Sequence, residues 1–289
     1  MNNNDKEDRG LLSVRSWVRM IAVVLLTAII MFSQAVGNAL FAEFPIPPLF
    51  RTALAELVPL ILAVILMIAL GGWKWLGTTK ESIVYAFKVG WVFPAFGVVL
   101  SIMRIVDAIV DKTPLAEGFL INLLGVILAC LLIGYFEEIL YRGINLGSLL
   151  AMLGSSKKLI LAAVLFSSWT FGRVHVVSLS FDDPIIFIQS LLKIIQTGML
   201  GIVMCEAVMH SKKIGGAALL HAANDLMLML TGAVFEGKSV SGSYVDSTNG
   251  TLVIIVYLIL IAVYLYPTIK ALRKIWKNYD VEYGPFVKD

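Results

Sequence analysis

Charge is scarce in this chain: Asp, Glu, Lys and Arg supply 15% of 289 residues, where a soluble domain carries about 25%. With 59% hydrophobic residues and a mean hydropathy of +0.88, the sequence needs a solvent other than water. Cysteine is nearly absent. Cys130 and Cys205 both sit in apolar runs, without zinc-type spacing or a disulfide framework. A net charge of +3 from scattered basic residues excludes nucleic acid as a partner. No internal repeat, low-complexity tract or long linker appears, so residues 1–289 read as one integral membrane domain.

Long hydrophobic runs are what the chain has in abundance. A bilayer core takes about 20 apolar residues per helix. Eight candidate spans emerge, at 20–42, 54–72, 89–110, 118–141, 159–180, 185–210, 214–233 and 251–269. The fold expected is all-α and polytopic. The first span follows a polar segment, 1–19, and lacks the short core and small-residue site of a cleaved signal peptide. Basic residues cluster on alternate sides of the spans, in 1–19, 74–88, 142–158, 212–213 and the tail 270–289. The positive-inside rule then places both termini in the cytoplasm. Trp17, Trp73, Trp75 and Trp91 near span ends read as interfacial anchors. The glycine pairs at 71–72 and 215–216 allow close helix approach.

Ionisable groups inside spans are costly and call for a function or a partner. Glu138 and Arg142 are four apart with the acid first, the favourable order for a pair on one helix face. Glu137 is turned about 100° away and is left free to face a cavity, as a general base requires. Of three histidines, His175 lies four residues after Phe171, and His221 precedes Asn224 and Asp225 on nearly one face. His210 reads as interfacial, paired at most with Glu206. Lys193 either snorkels or lines the cavity. A turn near 154–156 puts Glu137 and His175 at similar heights, about 30 Å from it. His221 reaches that height only if the fourth and fifth helices extend into the cytoplasm past Arg142.

The ordered set Glu-Glu-x-x-x-Arg, Phe-x-x-x-His and His-x-x-x-Asp, on Glu137, Glu138, Arg142, Phe171, His175, His221 and Asp225, resembles the CAAX-protease and bacteriocin-processing (ABI) family. Its best-known members are the type II CAAX prenyl endopeptidases. The resemblance covers about 125–226; Asp225 stands where Asn is common in the family. It implies an intramembrane endopeptidase with its site in a polar cavity open to the cytoplasm. Glu137 with His175 would activate water, and His221 with Asn224 or Asp225 would stabilise the oxyanion. The Glu138–Arg142 pair would hold Glu137, with Phe171 as a further orienting residue. No metal cofactor is favoured; zinc on Glu137, His175 and His221 is the alternative, although no His-Glu-x-x-His is present.

The partners implied are membrane lipid and a peptide or protein substrate, prenylated or not. The expected location is a prokaryotic plasma membrane. Two other classes stay open. One is a non-catalytic scaffold or bacteriocin-immunity protein of the same family. The other is a small-solute transporter, for which no inverted repeat is visible.

Overall fold

The structure, a computed structural model, describes residues 14–153, 156–176, 181–237, 250–278 and 286. The start of the polar N-terminus, the turn at 154–155, the end of the fifth candidate span, the loop at 238–249 and most of the tail past 278 lie outside the described residues. All regular structure among the described residues is helical. In chain order the helices are α1 (Val14–Phe41), α2 (Pro48–Ala69), α3 (Lys80–Gly90), α4 (Val92–Val110), α5 (Phe119–Glu138), α6 (Leu146–Leu153), α7 (Lys157–Val174), α8 (Pro184–Ser211), α9 (Gly215–Thr231) and α10 (Gly250–Asn278).

Local chemistry sets the ends. Pro48 opens α2 at its first position, where a missing N–H costs nothing. Thr79 and Ser82 cap α3 reciprocally. Asp183 accepts from the backbone N–H groups of Ile185 and Ile186 ahead of α8. A π-helical turn, Ile139–Asn145, joins α5 to α6 without breaking the rod.

Among the described residues, seven helices are long and apolar enough to cross a membrane. The protein is an all-α polytopic membrane protein. The one expected span outside these seven, the fifth at 159–180, corresponds to α7. This helix has only 18 residues and carries Lys157, Lys158 and Arg173, so its charged ends keep it out of that class. The fourth span is longer than expected. It runs unbroken over Phe119–Leu153, 35 residues, or about 50 Å at 1.5 Å per residue. That exceeds a hydrocarbon core of about 30 Å, so its end extends past Arg142.

Helices meet where side chains are absent, as expected where lipid removes the hydrophobic drive for association. A Cβ on Gly125 would lie 2.8 Å from Leu49, and one on Gly143 would lie 3.1 Å from Met67. The equal offset between these two contacts makes α2 and α5 parallel and in fixed register. Gly172 of α7 lies against the Ile194 carbonyl of α8, and Gly216 of α9 against the Ser82 carbonyl of α3. Gly134 brings α5 onto α9: its Cβ would stand 2.6 Å from the Ala218 carbonyl oxygen. Gly134→Ala should therefore destabilise the detergent-solubilised protein by about 1–3 kcal/mol, seen as a lowered melting temperature. Gly77→Ala, whose Cβ would meet only the Lys213 side chain at 3.7 Å, should leave it unchanged.

Candidate active site

The site is assembled from α5 and its π-helical turn, α7 and α9. Glu138 and Arg142 are completely buried, and Arg142 Nη1 donates to Glu138 Oε1 at 2.8 Å. The same carboxylate oxygen faces His221 Nδ1 at 3.0 Å. With Glu138 paired to a guanidinium, it acts as acceptor, so Nδ1–H of His221 donates. His221 Nε2 then points the other way, 3.4 Å from Asp225 Oδ2 and 3.7 Å from Glu137 Oε2. Asn224 Nδ2 donates to Asp225 Oδ1 at 3.2 Å.

Phe171 is the hub that sequence spacing did not reveal. Fully buried, it lies 4.1 Å below the Arg142 guanidinium. It meets the rings of Tyr141, His175 and His221 edge-on at 5.2, 4.8 and 5.5 Å between centroids. His175, half-buried, places Nδ1 2.8 Å from the Phe171 carbonyl. That contact makes Nδ1 the protonated nitrogen and leaves Nε2 with its lone pair. Ser167 of α7 donates to the Tyr141 carbonyl at 2.9 Å, holding α7 against the π-helical turn.

Of the residues singled out from sequence, Glu137, Glu138, Arg142, His221, Asn224 and Asp225 form one contiguous polar cluster. His175 joins it through Phe171. Two further groups belong to its surroundings. Lys193, buried on α8, is within Coulombic range of Asp225 and Glu137 and donates to Gln196 at 3.4 Å. Glu56 of α2 was not singled out. Buried at 3% exposure, it accepts from Gln34 at 2.6 Å and is within Coulombic range of Glu137. Its signal was available as a lone acid inside the second apolar run.

Glu137 makes no hydrogen bond to another described residue, and its Oε2 is a buried acceptor without a partner. Gly90 packs on Leu220, and Gly97 lies 2.8 Å from Met227 and 3.6 Å from the Asn224 carbonyl, measured from a Cβ built on it. Trp91, 60% exposed on the outer surface, is consequently level with His221.

Residues 119–227 match the family model Type II CAAX prenyl endopeptidase Rce1-like. This segment is similar to that family. No curated protein and no solved structure gives a match. The Rce1-like segment runs from the start of α5 into α9 and contains every cluster residue named above except Glu56. That similarity supports a protease of the CAAX class acting within the membrane.

For the zinc alternative on Glu137, His175 and His221, no group of three His, Cys, Asp or Glu side chains among the described residues is placed to hold a metal ion.

Arg142→Met would leave Glu138 a buried charge lacking its guanidinium. A loss of about 3–5 kcal/mol is expected, read as a fall in unfolding free energy in detergent. Adding Glu138→Gln to that variant should recover more than half of the loss, because the stranded charge is then gone.

Proposed function

We propose that the protein is a glutamate-dependent intramembrane endopeptidase that hydrolyses a peptide bond of a membrane-associated protein or peptide, prenylated or not. The observation that carries this reading is the pairing of Glu137, whose Oε2 has no hydrogen-bond partner, with a histidine held from behind. Glu138, fixed by Arg142, anchors His221 at Nδ1, so that Nε2 is presented to the reacting groups.

Water accepted by Glu137 Oε2 loses a proton to the carboxylate as its oxygen attacks the scissile carbonyl carbon. The negative charge that develops on the carbonyl oxygen needs donors already in place. Protonated His221, its Nδ1–H already given to Glu138, offers Nε2–H as one, and Asn224 Nδ2 is the second; Asp225 sits beside both and orients them. Collapse of the tetrahedral intermediate breaks the C–N bond. The proton held by Glu137 passes to the leaving amine, leaving a carboxyl on one product and an amine on the other. His175 would assist at the water. This differs from the sequence-based expectation in one respect: the Glu138–Arg142 pair supports His221 directly rather than Glu137.

The height of the site supports a substrate that stays in the membrane. Exposed tryptophans collect at bilayer interfaces, and Trp91 is level with His221. With both termini cytoplasmic, as the charge distribution argues, the cluster lies toward the cytoplasmic face. A lipid-anchored tail would reach it without leaving the bilayer.

Glu137→Gln preserves shape and removes the base. Cleavage should drop by at least about 100-fold with the melting temperature unchanged, and wild-type turnover should survive chelators in protein that metal analysis shows to be zinc-free. Membrane proteomics of cells carrying Glu137→Gln should show uncleaved precursors accumulating. Full activity of a folded Glu137→Gln protein would rule the assignment out.

A further inference from the structure

A second built feature lies on the other side of α9. Helix α3 buries Ser82, Ala86 and Gly90 one turn apart; Ser82 and Gly90 rest on Gly216 and Leu220 of α9. The opposite face is thereby fixed outward. It presents Lys80, Val84 and Lys88 at one-turn spacing, followed by Trp91, with Val84 58% and Trp91 60% exposed. Cation, aliphatic, cation, aromatic is a stripe suited to the boundary between headgroups and acyl chains.

The stripe borders a cavity of about 510 Å³ between α3 and the last turn of α8. Lys80, Lys88 and His210 line it with the hydroxyls of Thr79 and Ser211, and Glu81 is the acid in the lining. Its floor is rigid. The His210 ring stacks on Tyr85 with centroids 3.6 Å apart. The Tyr85 hydroxyl donates to buried Glu206 and accepts from Lys274 of α10 at 2.8 Å. These bonds tie α3, α8 and α10 together beneath the opening. Neither Lys80 nor Lys88 has an acidic partner among the described residues.

We propose that this cavity binds the phosphodiester headgroup of an anionic phospholipid. Two unpaired lysines supply the charge complement, the Thr79 hydroxyl supplies a donor to a phosphate oxygen, and Val84 and Trp91 contact the acyl chains below. Basic pockets between helix ends at the cytoplasmic surface take such headgroups. Because α3 packs on the helix that carries His221, an occupied site braces α9. The binding claim itself does not depend on the proposed reaction.

The test uses the full-length protein in detergent, titrated with short-chain phosphatidylglycerol while its melting temperature is followed. A saturable rise is expected for the wild type and equally for Glu137→Gln, so a failed peptidase reading leaves this result intact. Lys80→Gln with Lys88→Gln should bind about thirtyfold more weakly, at about 1 kcal/mol per lysine. Val84→Glu, which keeps both lysines, should also weaken binding, and Lys80→Arg with Lys88→Arg should retain it. Short-chain phosphatidylcholine producing the same rise would overturn the proposal, as would unchanged affinity in the double glutamine variant. Inorganic phosphate matching phosphatidylglycerol would reassign the cavity to a free anion and overturn the lipid assignment.

Discussion

A guanidinium with no solvent exposure, inside an apolar helical bundle, is the constraint from which the rest of the site follows. Arg142 is tolerable there only because Glu138 lies 2.8 Å away and the Phe171 ring faces it at 4.1 Å. Gly201 contributes by omission: a Cβ there would come within 3.2 Å of Arg142 Nη2. Burying such a pair is costly, and its position is therefore not adjustable. Whatever hydrogen-bonds to Glu138 inherits that rigidity. His221 does so from α9, and Phe171 joins from α7, so one ion pair fixes the relative placement of three helices.

That rigidity matters because a base and an oxyanion donor must be held to a fraction of an ångström. The glycines serve the same end. Gly134, Gly172 and Gly216 let backbones touch, and neighbouring rods in contact through backbone atoms cannot slide without a clash. The π-helical turn at Ile139–Asn145, directly after the two glutamates, belongs with this arrangement; such irregularities recur at functional sites. Its link to α7 through Ser167 keeps the wider turn from acting as a hinge.

Much of this was legible in the sequence because helical spacing is local. The i, i+4 relations of Glu138 with Arg142, Phe171 with His175 and His221 with Asp225 each appear as contacts between those side chains. What spacing could not supply was register between helices. The height of His221 relative to Glu137 depends on Gly134 meeting Ala218, a tertiary fact. Glu56 reaches the cluster through the parallel packing of α2 on α5, and no pattern within α2 announces that. Phe171 looked like a helical neighbour of His175, yet its ring contacts come from three elements. The fifth candidate span, α7, stands apart from the other seven because lysines and an arginine lie at its ends.

Charge counting narrows the choice of base further. Four carboxyls, Glu56, Glu137, Glu138 and Asp225, share one buried neighbourhood with the potential cations Arg142, Lys193 and His221, so full ionisation would leave an uncompensated acid. Three of the four are held by hydrogen bonds: Glu138 by Arg142 and His221, Asp225 by Asn224, and Glu56 by Gln34. Glu137 alone has none among the described residues. A carboxyl that is bonded is committed to structure, since moving its proton would disturb a partner. The one that is not bonded can take up and release a proton while the rest of the cluster stays as it is. The surplus acid and the acid without a hydrogen bond are then the same residue, which supports the proposed role of Glu137 toward water.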